Sequence, residues 1–145
     1  MTSAALPEEL AAIRDDFLSL EKPERLQLLL EFSQQLPELP ARYADHPDLL
    51  ERVVECQSPV FLFVEVDEKR IVHVFMTAPK ESPTTRGFAS ILAQGLAGLT
   101  VEQVLAVPSD FPFELGLTEA VSPLRLRGMV GMLGRIQRQV KDKAA

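Results

Sequence analysis

The chain has 145 residues, 46% of them hydrophobic and 25% charged, with a formal net charge of −6. That length suits one domain with one substantial core, residues 1–145, and the acidic balance argues against nucleic acid or an anionic membrane as partner, because both need a basic face. A basic protein surface is the easier partner. No apolar run approaches the roughly 18 residues needed to span a bilayer, and Met1-Thr2-Ser3-Ala4-Ala5 lacks a basic region followed by an apolar core, so a cytoplasmic protein is expected.

In chain order, Pro7-Glu8-Glu9 places proline and acids where a helix N-terminus tolerates them. Leu10, Ile13, Phe17 and Leu20 follow at helical spacing and predict a first helix over about 7–20. Pro23-Glu24 repeats the start signal; Leu26, Leu29, Leu30, Ser33 and Leu36 mark one face, and Pro37 closes the segment. That leucine stripe is read as core packing in preference to a partner surface. Residues 37–51 hold Pro37, Pro40, Asp45 and Pro47 and read as a connector with a helical turn near Asp48 to Arg52. Val53-Val54, Val60 to Val66 and Ile71 to Met76 are rich in β-branched and aromatic residues, with Asp67-Glu68-Lys69 as a hairpin turn, which predicts three antiparallel strands.

Ser82-Pro83 supplies a cap and a first-turn proline for a third main helix whose buried face is Phe88, Ile91, Leu92 and Leu96. Thr100-Val101-Glu102-Gln103 fits a capping box, and Asp110 to Leu115 reads as a short turn stopped at Gly116. Leu126, Met129, Val130, Leu133, Ile136 and Val140 predict a long terminal helix, with Lys141 and Lys143 favourable near its end. Gly128, Gly131 and Gly134 lie three apart on that helix; they suit either a partner-binding face or, preferably, close approach of a core helix to the sheet.

The chemistry centres on Cys56, the only cysteine. It lies between Glu55 and Gln57-Ser58-Pro59, a polar segment with turn character, so an exposed thiol at the sheet edge is expected and not a buried structural one. One cysteine makes no intramolecular disulfide, and one cysteine with His46 and His73 is a poor zinc inventory, which leaves a reduced, metal-free thiol. His73 lies between Val72 and Val74 and invites pairing with Cys56, but a solvent-facing strand histidine is the commoner case. No phosphate loop, dinucleotide fingerprint or internal repeat is present, and no cofactor is expected.

Cys56-Gln57-Ser58 followed by Val60-Phe61 resembles the signature of the SufE family, the sulfur acceptors that work with cysteine desulfurases in iron–sulfur cluster assembly. Leu36-Pro37-Glu38-Leu39, Pro83 with Arg86-Gly87, and Leu117-Thr118 through Ser122-Pro123, Arg125 and Gly128 extend the likeness in order over nearly the whole chain. The chain departs from the family pattern at Glu55, where glycine is usual, at Pro59, usually polar, at Phe61, usually tryptophan, and at Glu81, usually aspartate. The resemblance implies a SufE/NifU-like α+β fold, a three-stranded antiparallel sheet covered by helices. It implies that Cys56 takes persulfide sulfur from a SufS-type desulfurase, which carries the pyridoxal phosphate. Sulfur would pass to a SufBCD-type scaffold complex, with Gln57, Ser58, Glu81, Arg86 and Arg125 at the partner surface. It also implies a cysteine tucked against an apolar pocket that swings out to the partner. Glu55 is expected to disfavour that release, by strain if its φ is positive and by repelling thiolate formation. Two other classes remain: a redox-regulated binding protein forming mixed disulfides through Cys56, and a cysteine hydrolase, which lacks a convincing histidine and acid.

Overall fold

Proline and paired acids start the first helix where the sequence places it. In the computed structural model, which describes residues 6–144, helix α1 spans Glu8–Leu18 and buries Leu10, Ile13 and Phe17. The expectation for Met1 to Ala5 lies outside the described residues. Helix α2, Lys22–Ser33, begins with the Glu24 carboxylate accepting from the Glu21 N–H at 3.1 Å, and Arg25 donates to the carbonyls of Phe17, Leu20 and Gly116 to brace the α1–α2 corner. The connector carries a short helix that the prolines had hidden, α3 at Ala41–Ala44, and a 3₁₀ turn at Pro47–Leu49.

The sheet has order β1–β2–β3, all antiparallel, with β1 Glu51–Arg52, β2 Phe61–Val66 and β3 Val72–Thr77. The first strand was expected at Val53-Val54. It lies two residues earlier, and Val53 ends the ladder by donating to the Val60 carbonyl at 2.8 Å. At the β2–β3 turn Asp67 Oδ1 accepts from the Lys69 and Ile71 N–H groups, and Arg70 takes a positive φ of 62°.

Alternation decides the two faces of the sheet. Leu62, Val64, Val72, Val74 and Met76 point into the core. Phe63 and Phe75 face outward beneath the Tyr43 ring of α3, at centroid separations of 4.7 and 5.1 Å. Helix α4, Pro83–Leu96, and helix α6, Pro123–Ala144, cover the inner face, with the short α5, Val101–Leu105, against α6. The expected capping box is present: Gln103 N–H donates to Thr100 Oγ1 at 3.1 Å and Thr100 N–H donates to Gln103 Oε1 at 3.0 Å. Gly116 ends the 3₁₀ turn Phe111–Leu115 with φ 70°. The arrangement is the expected α+β one, a three-stranded antiparallel sheet with helices.

A glycine sets the approach of α4 to α2. A Cβ on Gly87 of α4 would meet the Leu29 backbone carbonyl of α2 at 2.5 Å, so these helices cross with their backbones in close approach. On α6, Leu126, Met129, Leu133, Ile136 and Val140 are buried as the apolar spacing predicts, but Val130 is only half-buried and Met132 takes its place in the core, while Gly128 and Gly131 turn to the Cys56 loop.

Candidate functional site

Residues 53–60 connect β1 to β2. Val53 and Val60 are buried at the two ends and joined by a hydrogen bond, so the polar segment between them is a tight tethered loop. Within it, Cys56 N–H donates to the Val53 carbonyl at 3.1 Å, which turns the chain inward. Cys56 is therefore not the exposed thiol its polar neighbours suggest: it is only 8% exposed, within the core cluster. The polar residues dress the outside of the loop, with Gln57 exposed and Ser58 half-buried, while the thiol takes the inner side.

Helix α6 makes that position possible. Cys56 Sγ lies 3.6 Å from the Gly128 carbonyl, to which the thiol donates, and a Cβ on Gly128 would stand 3.0 Å from the sulfur. Three residues on, a Cβ on Gly131 would lie 2.8 Å from Cβ, Cγ and Cδ of Glu55. Two of the three spaced glycines thus seat the loop, whereas a Cβ on Gly134 would meet nothing within 4 Å. Beside the sulfur opens a pocket of about 180 Å³, lined by Cys56, Gln57, Ser58, Glu81 and Arg125 among others. Ser82, Thr84 and Thr85 at the start of α4 add hydroxyl groups to its wall. Ser82 was expected to cap α4 with its side chain. Its hydroxyl instead pairs with Ser58 Oγ at 2.7 Å and ties the loop to the helix start.

Burial pushes the Cys56 thiol up to about 11; the neighbouring Glu55 carboxylate adds to the rise and Arg135 opposes it. The hydrogen bond to Gly128 also favours the neutral form. At pH 7 such a group is ionised on the order of one part in ten thousand, against a few per cent for a free thiol. In this position Cys56 is a protected thiol and not an activated one.

Arg135 and Glu51 carry no local sequence signal of their role. Arg135 grips Glu55 through two hydrogen bonds of 2.8 and 3.2 Å and holds Glu51 at 2.6 Å. The Arg135 hydrogen bond holds the Glu55 carboxyl below the usual range against the opposing effect of burial. For Glu51, burial pushes upward, but hydrogen bonds from Gln139, Arg135 and Arg138 outweigh it and the carboxyl is lowered. Glu55 has no positive φ, since Arg70 alone among the described non-glycine residues does. The condition for strain at Glu55 is therefore not met, and its electrostatic effect on the thiol remains.

Of the residues singled out in the sequence, Cys56, Gln57, Ser58, Glu81 and Arg125 come together at the pocket; Arg86 does not. Its guanidinium donates to the Ser33 carbonyl at 2.9 Å and to the Ala78 carbonyl, tying the end of α2 to the strand that leads into α4. His73 makes no pair with Cys56: its Nε2 is 3.1 Å from Asp67 Oδ2 at the hairpin, and no histidine is among the described residues lining the pocket. Among the described residues no three His, Cys, Asp or Glu side chains converge as a metal-binding group, and no helix is long and apolar enough to cross a membrane.

Fold and site together define a small α+β domain built around one sheltered loop thiol. The chain belongs to the SufE family, whose model, described as an Fe-S metabolism associated domain, matches residues 11–140. It is 49% identical over 139 residues to an uncharacterized SufE-like protein of Mycobacterium tuberculosis, covering 96% of each chain. It is 29% identical over 89 residues to the cysteine desulfuration protein SufE of Plasmodium falciparum, covering 59% of this chain and 35% of that one. The solution structure of a hypothetical protein from Thermus thermophilus shares the fold with a TM-score of 0.83 and 38% identity, over 97% of this chain and 98% of that one. Membership places the chain in the sulfur-transfer chemistry of iron–sulfur metabolism.

Proposed function

We propose that the chain is a sulfur acceptor and carrier that receives persulfide sulfur on Cys56 from a SufS-type cysteine desulfurase, stimulates that enzyme, and delivers the sulfur to a SufBCD-type iron–sulfur scaffold complex. The observation that carries this reading is the placement of the chain's single thiol against a pocket, on a short loop, within a SufE domain. The Plasmodium relatives named for cysteine desulfuration support it.

In the transfer step the Cys56 thiolate attacks the outer sulfur of a persulfide on the desulfurase's cysteine. A new S–S bond forms at Cys56, the original S–S bond breaks, and the desulfurase cysteine leaves as a thiolate, with no net oxidation. Cys56 must first lose its proton, which its sheltered position opposes, so the loop has to leave Gly128 before attack. Outside, the thiol approaches its ordinary pKa and gains about two orders of magnitude in thiolate fraction at pH 7. Returned to the pocket, the persulfide is shielded from stray thiols. Gln57, Ser58, Glu81 and Arg125 frame the surface the partner meets, and Arg86 contributes by holding the chain that leads into α4.

Incubation with a cognate desulfurase and cysteine should make the protein one sulfur atom heavier at Cys56, reversibly by reductant. Cys56→Ser should abolish the gain with the fold intact. A variant that still stimulates desulfurase turnover fully would sink the acceptor reading; a mixed disulfide in place of the added sulfur would favour redox binding.

A further inference from the structure

Glu55 directly precedes Cys56, so an outward swing of the loop works against whatever holds Glu55. Glu55 is fixed from two sides. Its aliphatic stem lies on Gly131, where a Cβ would be 2.8 Å away, and its carboxylate is gripped by both Nε and Nη2 of Arg135. Arg135 is itself immobilised, because Nη1 donates to Glu51 at 2.6 Å and Glu51 is held in turn by Gln139 at 2.7 Å and by Arg138. The anchor is therefore a strand residue on one side and the terminal helix on the other. The Arg135 and Glu51 side chains are only 23% and 22% exposed, so the base of the anchor is sheltered, while Glu55 at 41% stays open to solvent and within reach of a partner.

We infer that Arg135 is a positioning residue for sulfur transfer: through Glu55 it latches the Cys56 loop in its withdrawn position, and a partner that presents a cation to Glu55 releases the latch. The inference rests on the sulfur-acceptor reading for its purpose, but the latch itself is a property of the isolated protein. A cation on the partner suits a chain of net charge −6, and a bidentate carboxylate released by Arg135 is a ready ligand for an incoming guanidinium. The latch also works through electrostatics: closed, it keeps Glu55 beside the thiol, where the carboxylate discourages a premature thiolate.

The test is a double-mutant cycle of Glu55→Ala and Arg135→Ala, read by hydrogen exchange at the Val53 and Cys56 amides, whose bonds close the loop. Each single variant should speed exchange there by about five-fold, the double variant no more than the faster single, with exchange at the core β2 and β3 amides unchanged. Gly131→Ala, which keeps both charges and evicts the Glu55 stem, should speed loop exchange similarly. Arg135→Lys, retaining charge without the two-pronged grip, should fall between Arg135→Ala and the wild type. With a desulfurase, the latch-free variants should show a lower KM for this protein as substrate and little change in kcat, because the competent form is more populated. Single effects that multiply in the double variant, unchanged loop exchange, or equal acceleration in loop and core would each overturn the latch. The exchange measurement needs no desulfurase, so failure of all forms to accept sulfur would count against the acceptor reading and leave the latch standing.

Discussion

A Cβ on Gly128 would lie 3.0 Å from Cys56 Sγ, tighter than an ordinary side-chain contact, so the residue at this position governs where the sulfur rests. Gly128→Ala adds a methyl group that only the withdrawn loop has to accommodate. The gain in helix propensity, about 1 kcal/mol, is common to withdrawn and released forms and cancels between them, whereas overpacking of about 1–3 kcal/mol falls on the withdrawn form alone. Alkylation of Cys56 should therefore rise about five-fold or more, with a melting temperature that stays level or falls by what overpacking costs beyond the helix gain. Gly134→Ala is the control: nothing lies within 4 Å of its Cβ, so it should stabilise by up to about 1 kcal/mol and leave alkylation unchanged. A Gly128→Ala protein that alkylates at the wild-type rate would show that the Gly128 contact does not hold the thiol in. The importance of Cys56 was legible at this scale because it is the sole cysteine and its neighbours match a family signature. Its burial follows from the family resemblance but not from its neighbours, because Glu55, Gln57 and Ser58 are polar and the decisive neighbour is 72 residues away.

Among the elements, the amphipathic helices and the strand alternation were legible because one face of each is buried and the apolar spacing records it: Leu10, Ile13 and Phe17 in α1, Leu126 to Val140 in α6. Caps and stops written within four residues, Thr100 with Gln103 and the turn ending at Gly116, were equally readable. Helix α3 escaped because its four residues sit between Pro40 and Pro47 and only Tyr43 packs down, and β1 was misplaced because its two residues, Glu51 and Arg52, show no alternation. Long-range ties had no local trace. Arg86 illustrates this: it matches the family pattern and reads as a partner contact, yet its hydrogen bonds go to the Ser33 and Ala78 carbonyls. Arg86→Gln should lower stability by about 1.5–3 kcal/mol, measured by urea unfolding, because charge-assisted bonds to part-buried carbonyls are lost. Desulfurase stimulation per folded molecule should persist below the lowered melting point. Unchanged stability with lost stimulation would make Arg86 a docking residue instead.

For the molecule as a whole, the sheltered thiol and the gripped carboxylates predict stability that falls away from neutrality in two different ways. Glu51 and Glu55 have carboxyl pKa values lowered in the fold, so their contribution is present above the unfolded value of about 4.3 and is lost as pH falls through the folded values. Cys56 behaves oppositely. Its folded pKa of about 11 lies above the unfolded value near 8.5, so the native state binds that proton more tightly. Stability is then unaffected below about pH 8 and declines as pH rises from about 8.5 towards 11. By pH 10 the loss from this group amounts to about 2 kcal/mol. Tyr43, raised first by burial and then by its hydrogen bond to Glu65, contributes in the same direction, so the thiol must be isolated by difference. Urea unfolding of the wild type and Cys56→Ser between pH 7 and 10 supplies that difference: the wild type should lose about 2 kcal/mol more than the variant, unless the loop releases the thiolate at smaller cost. In that case the extra loss is capped at the free energy of loop opening, and Cys56 alkylation reports the same quantity independently. Parallel curves for the two proteins, together with slow alkylation, would contradict a buried thiol held in its neutral form.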